Sequence, residues 1–257
     1  WWQGWGFTQF FAIWFATDLI AALCTFALAR RELRSHGVGR IRPTLSAKGL
    51  PGGWRCAINV NVNSTVSTTW GPVGRLLIGG VLNAASAGLY RIAHSIAEAV
   101  QKPTVLITKV LYPQLLRLDP ASKAPWRLMF RVMALSATIG LVLLFVAALF
   151  GKWVLATAFG PEFTGAYEVL VILLGASLLG LVSSPMPPML DSLGRIAVPT
   201  LANIAGAIAY LASFLPLVGA FGLAGAGLAF VLGKLVVAGA MTAVLVLERR
   251  RRHGVPA

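Results

Sequence analysis

The stretch LMFRVMALSATIGLVLLFVAALF, residues 128–150, holds a single charged side chain, Arg131, near its start. A helix that crosses a bilayer needs about 20 mostly apolar residues, because the hydrocarbon layer is about 30 Å thick. This block meets that length. Six further apolar blocks flank it, at approximately 7–29, 57–82, 86–111, 168–190, 196–218 and 221–247. The chain is 57% hydrophobic and only 12% charged, about half the charged share of a soluble domain. The expected fold is an all-α integral membrane protein of about seven transmembrane helices.

The connections between blocks alternate sharply in charge. Arg30, Arg31, Arg34, Arg40, Arg42, Lys48 and Arg55 lie between the first two blocks, and Arg117, Lys123, Arg127 and Arg131 at the next junction but one. Arg195 follows the fifth block and Arg249 to Arg252 the last, whereas the alternate connections hold Lys152 alone. If all seven blocks span, 16 of the 22 Lys and Arg residues fall on one side. Basic loops stay in the cytoplasm, which places the C-terminus there and accounts for a net charge of +14 without nucleic acid. The expected organisation is a first helix over 1–29, a basic cytoplasmic loop over 30–56, a six-helix lobe over 57–247 and a basic tail over 248–257. Trp1, Trp2 and Trp5 read as an interfacial aromatic belt, and the start of the chain reads as lying inside a longer protein.

Polar residues inside the spans carry the functional argument. At 100° per residue, Arg91, Lys102 and Lys109 fall within about 20° of one another on a helix. His94, Ser95 and Glu98 share that broad side, opposite Leu89, Ala93, Ile96, Val100 and Ile107. Charge at mid-bilayer costs about 2.5–3.5 kcal/mol or more, so this stripe should turn away from lipid. Glu98 and Lys102, four residues apart, are expected to pair. The preceding block repeats Asn59, Asn63, Ser67, Gly71 and Arg75 every four residues. Its amide and hydroxyl groups suit sugar hydroxyls or neighbouring helices, and both readings stand. Arg75 beside Pro72 is a candidate to line a cavity. Lys234 lies near the middle of the last block with no evident partner in its own helix, and Asp18 is similarly alone in the first.

Five basic residues against two acids within the spans favour an anionic cargo such as a phosphate or pyrophosphate headgroup. Arginine grips phosphate through two parallel hydrogen bonds, while lysine acts as a point charge. Pro72, Pro103, Pro185, Pro187 and Pro188 mark bends, which membrane helices tolerate where protein or a watery cavity satisfies the freed backbone. Gly222, Gly225, Ala229 and Gly233 offer small residues for close helix packing. Neither the two cysteines nor the three histidines have metal-ligand spacing, and no phosphate-binding glycine loop, paired carboxylates or nucleophile with a base occurs. No enzyme, cofactor or metal is expected.

GGVLNAASAGLYRIAHSIAEAVQKPTVLITKVLYPQLLRL, residues 79–118, resembles the polysaccharide flippase family of the multidrug/oligosaccharidyl-lipid/polysaccharide exporter superfamily. The match rests on Gly88, Tyr90 and Ala93 opening a helix, the mid-helix Pro103, and Tyr112-Pro113. LFGKWVLATAFGPEFTGAYEVLVILL, residues 149–174, carries a second likeness around Phe159-Gly160. The resemblance implies two lobes of helices, twelve or more in all, around a central cavity, this chain being like the sixth helix, the inter-lobe loop and the second lobe. It implies alternating access in a bacterial inner membrane, with lipid-linked oligosaccharide as cargo. It implies as partners membrane lipids and the polysaccharide polymerase and chain-length machinery. A pyrophosphate-binding role falls on Arg75, Arg91 and Lys102. The open alternatives are a multidrug or peptidoglycan-precursor exporter of the same superfamily, a membrane-embedded sugar polymerase, and a non-transporting scaffold.

Overall fold

A computed structural model describes residues 7–35, 53–118 and 122–252. Most of the basic loop expected over 30–56, the opening tryptophans and the end of the basic tail lie outside the described residues. The chain separates into two compact units, Trp1–Pro51 and Gly52–Ala257.

The described residues of the first unit form a helix, α1 (Phe7–Ser35). Its described side chains are exposed, large apolar ones such as Phe15 and Phe26 included. Thr17 and Thr25 return their hydroxyls to the carbonyls of Ile13 and Ala21 at 2.8 Å, so their polar groups are satisfied within the helix. A surface of that kind suits hydrocarbon.

The second unit is built from α2 (Gly53–Val81), α3 (Ala84–Arg117), α4 (Ala124–Ala158), a 3-10 turn (Pro161–Ala166), α5 (Tyr167–Ser183), the short α6 (Met186–Ser192) and α7 (Ala197–Arg252). No strand occurs among the described residues. Asn83 caps α3, its side-chain oxygen accepting from the Ser86 amide at 2.7 Å, so α2 and α3 meet across a two-residue turn. The fifth apolar block divides where prolines were expected to disrupt it: α5 ends at Ser183, and α6 opens behind Pro185. Gly194, at φ 79°, closes α6 with the paired bonds of a Schellman motif, Arg195 N–H to Leu190 and Gly194 N–H to Asp191.

The last two expected blocks form one continuous assignment, α7, broken at Gly222 (φ 56°, ψ −132°). Past that break the chain turns back on itself. A side chain at Gly225 would strike the Leu217 carbonyl, the Tyr210 and Phe230 rings lie 5.9 Å apart, and Gly233 faces Gly206. As one partner advances the other recedes, which is the register of an antiparallel helix hairpin. Gly225, Ala229 and Gly233 therefore serve close packing as expected, while Gly222 supplies the reversal.

α5 is apolar all round and sits centrally, packed by α3, α4 and α7. Gly140 of α4 admits Leu178 of α5, and Gly151 admits the Tyr167 ring, whose hydroxyl donates to the Ala148 carbonyl at 2.6 Å. Outward, α4 shows Leu135, Phe145 and Trp153, and α7 shows Leu201, Ile208 and Leu215, all more than 60% exposed. Among the described residues, four segments are long and apolar enough to cross a membrane: Phe11–Glu32, Ala124–Ala158, Pro161–Ser192 and Ala197–Arg251. The last has 55 residues and folds back on itself, so it provides length for two crossings. α2 and α3 fall short of this because of their Asn, Ser and Thr run and their charges. The fold is an all-α membrane bundle in which α2 and α3 are the polar members.

Candidate functional site

Trp70 of α2 anchors the site. Its indole stacks on Tyr210 at 5.8 Å with rings nearly parallel, and meets Phe230 edge-on at 5.7 Å. The two halves of α7 thus grip one side chain of α2. Glycines make this approach possible: a β-carbon at Gly233 would lie 2.8 Å from the Trp70 ring and 2.9 Å from the Gly206 carbonyl oxygen. On the α3 side, Gly71 faces the His94 ring and Gly74 faces the hydroxyls of Tyr90 and Tyr210. His94 packs against Phe230 at 5.6 Å and against Tyr90 at the same distance. The hydroxyls of Tyr90 and Tyr210 are buried with no hydrogen-bond partner among the described residues.

Beside this aromatic wall lies a cavity of about 140 Å³ between α2, α3, α5 and α7, with Ser67, Thr68, Glu98, Gln101, Ser177 and Lys234 as its polar lining. Gln101 donates to the Ser177 hydroxyl at 3.1 Å, and that hydroxyl reaches the carbonyls of Ala97 and Leu173, both at 3.0 Å. The Lys234 ammonium sits 4.6 Å from the centre of the Trp70 ring and 5.4 Å from that of Phe230. Such cation–π contacts strengthen as water is excluded. Glu98 Oε1 lies 3.4 Å from His94 Nδ1, within ion-pair range but without hydrogen-bond alignment.

Of the expected site residues, Ser67, Glu98 and Lys234 converge on this cavity. Arg75 is half-buried one turn beyond Gly71, within electrostatic reach of Tyr90 and His94. Arg91 and Lys102, together with Glu98 and Lys109, form an exposed face of α3, because the opposite side, with Tyr90, Ala93, His94 and Ala97, is what packs into the unit.

Two expectations are corrected. Glu98 does not pair with Lys102 and faces His94, four residues earlier. Lys234 does have a partner in its own helix, Phe230, besides Trp70. Of the two readings left open for Asn63, the structure shows the bond to a neighbouring helix, Asn203 donating to its side chain at 2.7 Å; at Asn59 it is the backbone carbonyl that accepts from Thr200, at 3.3 Å.

Sequence reasoning missed Trp70, Tyr210, Phe230 and the central place of His94. The four-residue spacing of Phe230 and Lys234 was the available signal. No group of three or more metal-binding side chains occurs among the described residues.

Residues 7–168 match the protein family described as "Polysaccharide biosynthesis protein". Over 173 residues the chain is 28% identical to the inner membrane protein YghQ of Escherichia coli (strain K12), an overlap covering 66% of this chain and 49% of that protein. The chain thus spans about half the length of this relative. No solved structure matches it.

Proposed function

Since this chain belongs to the polysaccharide biosynthesis protein family, we propose that the full protein flips a lipid-linked, polyprenyl-pyrophosphate oligosaccharide across the bacterial inner membrane by alternating access. The observation that carries this reading is the exposed face of α3, with Arg91, Glu98, Lys102 and Lys109. Each such charge facing lipid would cost about 2.5–3.5 kcal/mol or more. The face therefore meets water or another part of the protein, as the wall of a transport cavity does. Ser64, Ser67 and Thr68 of α2 are exposed as well, and they add hydroxyl groups suited to sugar. Basic side chains outnumber acidic ones on the α3 face, which favours the pyrophosphate end of the cargo.

Arg75 and Arg91 would hold phosphate oxygens through their guanidinium forks, and Lys102 would add a mobile positive charge. Arg195 bridges Glu248 at the end of the bundle that also carries Lys123, Arg127, Arg131 and Arg249. With basic ends inward, that end and the C-terminus face the cytoplasm. A role in transport rather than in catalysis accords with these features.

An aromatic cavity containing a carboxylate is also what an exporter of organic cations would use. Here Lys234 already occupies the face of Trp70, which favours the anionic cargo.

The test is mass spectrometry of lipids that copurify with the full-length protein from its native membrane. Wild type should retain polyprenyl-pyrophosphate sugars, and the folded Arg75→Gln/Arg91→Gln/Lys102→Gln variant should lose them. Equal lipid profiles would remove the anionic-cargo reading.

A further inference from the structure

A second basic feature lies away from the α3 face. The start of α4 and the last turns of α7 enclose a cleft of about 750 Å³. Lys123, Arg127 and Arg131 line it from α4, and Arg249 and Arg250 from α7. In sequence these were separate topogenic clusters; the fold brings them to one place. No described lining residue is acidic, and the neighbouring Glu248 is held by Arg195, with Nη2 2.6 Å from Oε1.

Five cations sharing one cleft repel one another, so the arrangement favours a bound anion. The walls indicate what kind. Trp126 is buried, whereas Phe130 and Val246 are 46% and 44% exposed, so the cleft has an apolar side open to the surroundings. The Arg249 guanidinium lies 5.7 Å from the centre of the Phe130 ring, which places charge directly over an apolar surface. Beyond Phe130, the same side of α4 continues as an exposed apolar face containing Leu141 and Phe145. A ligand with a phosphate head and hydrocarbon tails matches this order of charge, aromatic ring and apolar helix.

We propose that the cleft between α4 and α7 binds the phosphate headgroup of an anionic glycerophospholipid from the cytoplasmic leaflet. Such basic clefts between helices at the inner membrane surface suit anionic lipids, whose phosphates are concentrated there. The bound lipid would neutralise the cluster and hold the two helix ends together. This site is separate from Arg75, Arg91 and Lys102 and does not depend on the cargo.

The experiment is native mass spectrometry of the full-length protein titrated with cardiolipin, phosphatidylglycerol, phosphatidylethanolamine and a polyprenyl pyrophosphate. Wild type should bind cardiolipin or phosphatidylglycerol in preference to phosphatidylethanolamine. The Arg127→Gln/Arg131→Gln/Arg249→Gln variant should bind them at least about tenfold more weakly, since each cation near a lipid surface contributes about a fivefold factor. Equal binding by variant and wild type, or no preference for anionic lipid, overturns the proposal. Displacement of bound phospholipid from this cleft by the polyprenyl pyrophosphate reassigns it to the cargo and overturns it too. Should the variant not fold, a photoactivatable phosphatidylglycerol on wild type decides: adducts within 123–131 and 246–250 support the site, and adducts confined elsewhere refute it.

Discussion

Gly233→Ala should destabilise the protein, while Gly239→Ala, six residues further along the same helix, should not. Both changes exchange glycine for the better helix former, a gain of about 1 kcal/mol that cancels between them. What remains is packing. At Gly233 the new methyl would lie 2.9 Å from the Gly206 carbonyl oxygen and 2.8 Å and 3.0 Å from two Trp70 ring atoms, whereas at Gly239 nothing lies within 4 Å. The carbonyl belongs to the opposing backbone and Trp70 is wedged between Tyr210 and Phe230, so neither neighbour yields cheaply. Overpacking of this kind costs about 1–3 kcal/mol. For a chain of this size each kcal/mol moves Tm by about 2–4 °C, so Gly233→Ala should melt roughly 2–12 °C below Gly239→Ala. The assay is thermal unfolding of the purified full-length variants in one detergent, compared pairwise. Equal melting temperatures would mean that the Gly206–Gly233 crossing, and with it the helix hairpin of α7, is wrong.

Three further outcomes follow from other contacts. Gly222→Ala puts a β-carbon on a residue at φ 56°, ψ −132°; such strain costs about 1–3 kcal/mol, and folded yield and Tm should both fall. Arg195→Gln removes the ion pair with Glu248, whose side chain is 10% exposed. It should cost about 1–3 kcal/mol in the same melt, and Glu248→Gln on that background should recover part of the loss. Asn63→Ala and Asn203→Ala each remove one interhelical bond, worth about 0.6 kcal/mol in membranes. The double variant should be no less stable than the worse single one, and cargo binding should be unchanged. Lost binding would return Asn63 to the transport path.

The all-α membrane fold was legible because bilayer thickness imposes a length on every crossing, and Gly222, at the start of the last apolar block, is where the chain reverses. The split of the fifth block was likewise written in Pro185, Pro187 and Pro188. The environment of each polar face was harder to read. A helical wheel groups Arg91, Lys102 and Lys109 correctly, but it cannot say that α5 covers the opposite side. Asn63 stayed open between a sugar and a neighbouring helix because its partner, Asn203, lies 140 residues away. Lys234 looked solitary because its partners are rings, and a cation over an aromatic face leaves no complementary charge in the sequence. The wheel groups His94 with Glu98 on the polar side, whereas its ring is buried against Tyr90 and Phe230.

The central claim is that the charged face of α3 is part of a path for a pyrophosphate-linked sugar. Its most direct test is flipping of lipid-linked oligosaccharide by the full-length protein in proteoliposomes, with equal amounts of folded wild type and of the Arg75→Gln/Arg91→Gln/Lys102→Gln variant. The account requires wild-type vesicles to move the cargo between leaflets and the variant to fall to the rate of empty vesicles. Equal flipping by both proteins, or none above empty vesicles by wild type, would contradict it.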